Sequence, residues 1–278
     1  MKRDRKVVCV MASHVKKTKS SEYHDRIAEQ YESDYSSPYW QLYDEITWRN
    51  MKRFLPKSKK AVILDVGAGT GHWSRALARL GYCVVCSDLS EKMLQVARKK
   101  AKEEGLDDRI SFIQADITDM RCFKDGFFDM VIAQGDPVGF CDDPEKAMRE
   151  LSRVAKKGAH VCVSIDGFFS SLSDLIASKK HKEMERFVKT RITEFHSSFP
   201  VHHFTPEDLH TLFKDNGLEM KTMIGKPVIN FDLHQDELEK LLSDKKIYKR
   251  VLALEMKYNS EPSIVGFSRH IEAVGKKR

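Results

Sequence analysis

The chain has 278 residues, of which 41% are hydrophobic and 32% charged. That composition supports a sizeable buried core and excludes a collagen-like, low-complexity or disulfide-scaffold protein. No apolar run approaches the ~18 residues a membrane-crossing helix needs, and Val7–Ala12 is shorter than the ~7–15 residues of a secretory apolar region.

The net charge of +7 is unevenly placed. Residues 1–20 carry +6 and Lys276, Lys277 and Arg278 carry +3, so the remainder holds 38 basic residues against 40 acidic ones. A folded body with balanced charge has no phosphate-tracking face, and no nucleic-acid partner is expected. Six sparse cysteines point to reduced thiols and a cytoplasmic location. Cys83 and Cys86 are three apart on what reads as a strand, where their side chains take opposite faces. They suit neither a redox dithiol nor a metal knuckle, and no metal site is expected.

In chain order, residues 1–20 read as a flexible basic tail. Residues 21–55 read as an N-terminal helical cap, with Ile27, Tyr31, Tyr39, Leu42, Tyr43 and Ile46 at helical spacing and Pro38 dividing it. An alternation follows over 56–278. Strands are predicted at 61–66, 82–87, 110–115, 128–133 and 159–165. Helices lie between them, punctuated by Gly81, Gly105 and Gly158. Strand and helix in repetition predict an α/β fold with a doubly wound, mostly parallel seven-stranded sheet. Residues 171–204 interrupt it as a helical cap insertion, with 171–198 read as helical. Thr205-Pro206-Glu207-Asp208 starts a further helix, 218–224 gives a strand, 235–258 is helical, and 263–274 closes the sheet.

The informative segment is Leu64-Asp65-Val66-Gly67-Ala68-Gly69-Thr70-Gly71, between the first strand and the first helix of the alternation. Glycines there permit positive φ and close backbone approach to a ligand. Asp88 follows twenty-one residues after Gly67, at the end of the second strand, where a carboxylate can accept both hydroxyls of a ribose. The dinucleotide fingerprint G-x-G-x-x-G is not met, because His72 stands at the third glycine. That disfavours a nicotinamide dehydrogenase.

These motifs resemble the class I S-adenosylmethionine-dependent methyltransferases, of the small-molecule type akin to the ubiquinone and menaquinone methyltransferases. The resemblance rests on Leu64–Gly71, Cys86–Ser90 with Met93-Leu94, Ala115-Asp116-Ile117, Phe128–Ile132, and Glu150–Val154 with Gly158. It covers about residues 21–275 and implies a Rossmann-like fold, S-adenosylmethionine as cofactor and S-adenosylhomocysteine as product. It also implies that Gly67, Ala68 and Gly69 line the methionine part. Asp88 would hold the ribose, with Leu89 packing on the adenine and Met93 also at the cofactor, and Asp116, with the Ile117 backbone beside it, would accept from the adenine amino group. Gln134 and Gly135 would face the sulfonium, and Tyr31 would cover the cofactor. Arg49, beside Trp48, is a candidate for the methionine carboxylate. Asp65 either joins the cofactor site or orients the glycine loop. Trp73 reads as packing.

Methyl transfer from a sulfonium is an in-line displacement, so the protein's task is placement, with a base where the acceptor carries a proton. Asp136, in the loop Gln134–Cys141, is a candidate to orient or deprotonate the acceptor; a turn-forming Asp before Pro137 is the other reading. His203 is the second candidate, with His202 beside it on one strand and facing the other way. Aromatic residues in 21–55 and 171–204 suit an apolar or aromatic small-molecule acceptor; packing of the cap is the alternative. A protein or nucleic-acid methyltransferase guided by the basic tail and a non-catalytic cofactor-binding protein are the competing classes. The acceptor and the oligomeric state stay open.

Overall fold

The computed structural model describes residues 16–229 and 235–278. Its centre is a seven-stranded sheet in the order β3-β2-β1-β4-β5-β9-β8. The strands are β1 (Val62–Val66), β2 (Cys83–Asp88), β3 (Ile110–Gln114), β4 (Phe128–Ala133), β5 (Ala155–Asp166), β8 (Leu218–Lys226) and β9 (His270–Lys277). The five from β3 to β5 run parallel, and β9 lies antiparallel to both β5 and β8. The strand order reverses between β1 and β4. In an open α/β sheet that is where the crevice for a ligand opens, at the carboxyl ends of the strands.

The parallel strands are apolar on both faces, because helices cover both. Leu64, Val66, Val131 and Val163 join one core with Met148 and Leu151 of α6 (Pro144–Val154) and Phe213 of α9 (Pro206–Asp215). Ile63, Val84, Met130 and Ile132 join another with Leu77 of α4 (His72–Arg79) and Leu94 and Ala97 of α5 (Glu91–Glu103). The cap consists of α1 (Lys19–Ile27), α2 (Tyr31–Asp34) and α3 (Pro38–Lys52). Helix α3 packs Leu42 and Ile46 against Leu238 of α10 (Gln235–Leu242) and Leu252 of α11 (Lys245–Tyr258).

Three expectations about elements change. Helix α1 begins inside the segment read as tail: Thr18 caps it, its hydroxyl accepting from the Ser21 N–H, and Lys17 pairs with Asp25 at 3.0 Å. The rest of the tail, residues 1–15, lies outside the described residues. The insertion is not all helical. After α7 (Phe168–Ala177) and α8 (His181–Thr190), a hairpin forms from β6 (Ile192–Phe195) and β7 (Phe199–His202). His196 and Ser197 take positive φ there, and the Ser198 N–H donates to the Phe195 carbonyl at 2.8 Å, which closes the turn. Finally, 263–274 is not one strand. Pro262 starts the short α12 (Pro262–Val265), and β9 begins only at His270, opposite Asp166 of β5.

Candidate active site

The glycine loop and the end of β2 build one wall. Gly67, Gly69 and Gly71 all have positive φ, between 54° and 77°. Gly67 is also sterically required: a Cβ there would lie 2.4 Å from the Pro137 Cβ, so the glycine loop and the loop after β4 interlock. Asp88 holds this wall together. Its Oδ2 accepts from the Gly69 N–H at 2.8 Å and its Oδ1 from the Ser90 N–H at 2.8 Å. Burial raises the Asp88 carboxyl above the usual range, opposed by those hydrogen bonds and by His24.

Beyond this wall lies a cavity of about 520 Å³, well inside the size of small-molecule sites. It sits at the switch point between β1 and β4. Of the expected cofactor residues, the fold brings Tyr31, Gly67, Gly69, Asp88, Leu89, Met93, Asp116, Ile117, Gln134 and Gly135 to it. Tyr31 approaches to within 3.8 Å of where a Gly69 Cβ would sit. Asp116 accepts from the Thr118 N–H and hydroxyl, each at 2.8 Å and both on Oδ1. Among the described residues its other oxygen has no partner, which leaves it for a ligand donor.

Three expected cofactor residues do not line the cavity. Arg49 pairs with Glu45 at 2.7 Å on the exposed face of α3, because the helix turns its other face to the core. Asp65 is buried, and its carboxylate accepts from the Ser74 hydroxyl at 2.7 Å, tying β1 to α4 behind the glycine loop. Burial lifts its carboxyl to about 7. Ala68 packs on the core under α4, and its N–H donates to the Ser87 carbonyl at 3.0 Å. Trp73 stacks on Trp48 with ring centroids 6.0 Å apart, away from the cavity.

Both expected catalytic residues also point elsewhere. Asp136 has φ 68°, which turns its carboxylate into its own loop. There it accepts from the Gly139 N–H at 2.8 Å and the Asp166 N–H at 3.2 Å. It is 1% exposed, and burial together with nearby Asp166 pushes its carboxyl well above the usual range. Of the two readings, the structure favours the turn-forming one. His203 is buried under the insertion. Its Nδ1 lies 3.0 Å from the Ser171 hydroxyl and its Nε2 2.7 Å from the Thr193 hydroxyl, so both nitrogens are occupied. Burial lowers it to about 4. Cys141 lines the cavity, but burial pushes its thiol up to about 12, so it is no thiolate.

The cavity also contains residues that sequence reasoning missed. His24 of α1 is one. Its Nδ1 lies 2.8 Å from the Ser20 carbonyl, which can only accept, so in the neutral ring Nδ1 carries the proton and Nε2 is bare. Burial lowers its basicity, partly offset by Asp88 and Asp25. Phe140, Phe199 and Lys16–Ser20 complete the mouth. The i, i+4 pair Ser20–His24 at the start of the cap was a readable signal. The approach of Phe199 was not, because it depends on the hairpin folding back over the β4 loop, where the His202 N–H donates to the Gly139 carbonyl at 2.9 Å.

A charged network also escaped notice. Lys226 at the end of β8 is fully buried, with Nζ 2.9 Å from Glu272 Oε2, 2.9 Å from the Thr47 hydroxyl and 3.2 Å from Gln134 Oε1. Glu272 of β9 accepts at its other oxygen from Asn50 of α3 at 2.5 Å. A charge set directly beside apolar residues in each of two strands, in Ile224-Gly225-Lys226 and Ile271-Glu272-Ala273, was the available clue.

With this geometry in hand, the comparisons are informative. A methyltransferase-domain family model matches residues 63–158, the stretch that carries the glycine loop, Asp88, Asp116 and the β4 loop. Residues 63–158 form a class I S-adenosylmethionine-dependent methyltransferase domain. A demethylmenaquinone methyltransferase of Clavibacter sepedonicus is 41% identical over 101 residues, covering 36% of this chain and 39% of that protein. A tRNA 5-carboxymethoxyuridine methyltransferase of Escherichia coli K12 is 21% identical over 257 residues, 91% of this chain and 95% of that protein. Among solved structures, a Haemonchus contortus phosphoethanolamine N-methyltransferase 2, in complex with phosphomonomethylethanolamine and S-adenosylhomocysteine, superposes with a TM-score of 0.61. It shares 19% identity over 96% of this chain and 60% of that one, a likeness of fold. The residues around the methyltransferase cavity fit the cofactor: backbone and Asp88 at one end, the free oxygen of Asp116 at the other. Among the described residues, no helix is long and apolar enough to cross a membrane.

Proposed function

We propose that the chain transfers the methyl group of S-adenosylmethionine to a small-molecule acceptor with an apolar or aromatic body, in the cytoplasm. The observation that carries this reading is the cavity at the β1/β4 switch point, which runs from Asp88 and Asp116 to a strand-end loop at Gln134 and Gly135. Asp88 accepts from the ribose hydroxyls and Asp116 from the adenine amino group. Leu89, Met93 and Ile117 flank the base. Gly67 and Gly69 admit the methionine backbone, and Tyr31 covers it. S-adenosylmethionine supplies an electrophilic methyl and a neutral thioether leaving group. The chain's own contribution is to hold the acceptor ~3 Å from that methyl and in line with the C–S bond, a positioning effect of roughly 7–11 kcal/mol. Rings of Tyr31, Phe140 and Phe199 at the cavity exclude water around the acceptor.

The first test is calorimetric. The protein should bind S-adenosylmethionine and S-adenosylhomocysteine and ignore NAD, and Asp88→Ala should weaken both by roughly 10–100-fold, since hydrogen bonds to a charged group are worth about 1.5–3 kcal/mol each. Tighter binding of NAD would overturn the reading.

A second reading, methylation of RNA, is supported by the alignment with the tRNA methyltransferase along 95% of its length and by Lys16, Lys17 and Lys19 at the cavity mouth. Turnover with a naphthoquinol but not with bulk tRNA would favour the small acceptor; the reverse would favour RNA. Loss of tRNA turnover on deleting residues 1–17 would point the same way as the reverse result.

A further inference from the structure

Gln134 lines the cavity with one side and touches a buried ion pair with the other. Its Oε1 accepts from Lys226 at 3.2 Å, while its Nε2 donates to the Cys162 sulfur at 3.0 Å, so the side-chain amide is held at both ends. Lys226 and Glu272 are both 0% exposed. The pair reaches the cap through Thr47 and Asn50, and Lys226 sits 4.3 Å over the Tyr43 ring. Burying two charges costs more than a matched apolar pair usually would, so stability alone gives no reason for them here. They are not isolated in the core either, because one neutral amide separates them from the ligand cavity.

We propose that Lys226 and Glu272 are positioning residues that hold Gln134 and keep the charge behind it at zero, thereby setting how the site discriminates the cationic sulfonium cofactor from its neutral thioether product. This rests on the methyltransferase reading. The ion pair lies on the sulfonium side of the cavity, and in a medium of low effective dielectric an uncovered unit charge one side chain away acts strongly on a cationic ligand. It has no such hold on the thioether. With the pair intact the two fields cancel. With one partner removed they do not, and the sign of the remaining charge decides which ligand suffers. The groups facing Lys226 are Glu272 from β9, Tyr43 and Thr47 from α3, and Gln134 from the loop after β4. Cys162 of β5 stands behind Gln134. Burial would lower the basicity of Lys226, but Glu272 and Tyr43 hold it above the ordinary value, so Lys226 stays charged across the working range.

The experiment is titration calorimetry of the full chain with S-adenosylmethionine and S-adenosylhomocysteine, reading the ratio of the two dissociation constants. Glu272→Gln at pH 6 leaves a buried cation and should weaken the sulfonium ligand about ten-fold relative to the thioether. Lys226→Met at pH 9 leaves a buried carboxylate and should move the ratio the other way. The Lys226→Met/Glu272→Gln double variant restores neutrality and should return the ratio to the wild-type value; it also serves as the folded reference if a single variant melts early. A purely structural pair would lower the melting temperature of the single variants while leaving the ratio unchanged, and that result would overturn the proposal. Failure of the wild type to bind either ligand would instead overturn the methyltransferase reading itself.

Discussion

The β1–β2 side of the sheet lines the cavity directly, whereas the β8–β9 side reaches it only through Gln134, and the two use different chemistry. On the first, the wall is a glycine loop and one carboxylate, Asp88, that ties the loop down. On the second, the contact is one amide, Gln134, backed by a fully buried ion pair and hydroxyls from the cap helix. The first arrangement is local. Asp65 to Asp88 fall within one β-α-β unit, so sequence spacing nearly determines geometry. The second is assembled from α3, the loop after β4, β8 and β9, separated by up to 222 residues. A site half of the first kind tolerates little change in backbone. A half of the second kind tolerates changes that preserve charge and fails when one partner is removed.

The sharpest way to break this comparison is Gly67→Ala. Positive φ and a Cβ 2.4 Å from Pro137 combine strain with overpacking, and about 2 kcal/mol or more of stability should be lost. Urea denaturation measures it, with cofactor affinity falling in parallel. A change under 0.5 kcal/mol would mean that the two loops do not interlock.

An intermediate effect tests how the cap is fastened to the first half. Glu32 of α2 bonds the Thr70 hydroxyl at 2.6 Å, Arg75 at 3.0 Å and Lys100 at 2.5 Å. Burial would raise its carboxyl, but Lys100, Thr70 and Arg75 pull it from 4.5 down to about 2. A depressed carboxylate stabilises the folded state above its unfolded pKa, and that contribution is lost as pH falls from 4.5 through about 2. Glu32→Gln should therefore melt a few degrees below wild type at pH 7, a modest gap because Glu32 is partly exposed. The gap should close as the pH approaches 2. A gap that persists there would assign the loss to packing.

The smallest expected effect is at Arg49. Its partner is the exposed Glu45, and Arg49→Ala should change stability by no more than about 0.5 kcal/mol and leave S-adenosylmethionine affinity unaltered. A ten-fold weaker isotherm would place Arg49 at the cofactor after all.

Much of the first half could be read without a structure. Short apolar runs, each closed by a glycine or an acidic residue, announce parallel strands whose ends carry ligand groups. The motif from Leu64 to Gly71 has one spatial solution once a strand precedes it and a helix follows. The reading failed where a polar residue had two plausible partners. Asp136 and His203 had the right chemistry for a base, yet a positive φ turns one carboxylate inward and two hydroxyls occupy both nitrogens of the other ring. Arg49 and Ala68 were assigned from the family resemblance, but helix rotation and loop direction decide which side of the backbone faces the cavity.

What the sequence by itself determined is the periodic part: the alternation that makes a doubly wound sheet, the glycines that allow positive φ, and Asp88 and Asp116 at strand ends. These follow from local rules of backbone sterics and apolar spacing. Only the tertiary structure decided that α1 brings His24 to the cavity, that residues 192–202 form a hairpin reaching Phe140, and that Lys226 meets Glu272 behind Gln134. The physical reason is that a buried polar group must find a partner. Which partner it finds depends on distant segments packed together, not on its neighbours in the chain.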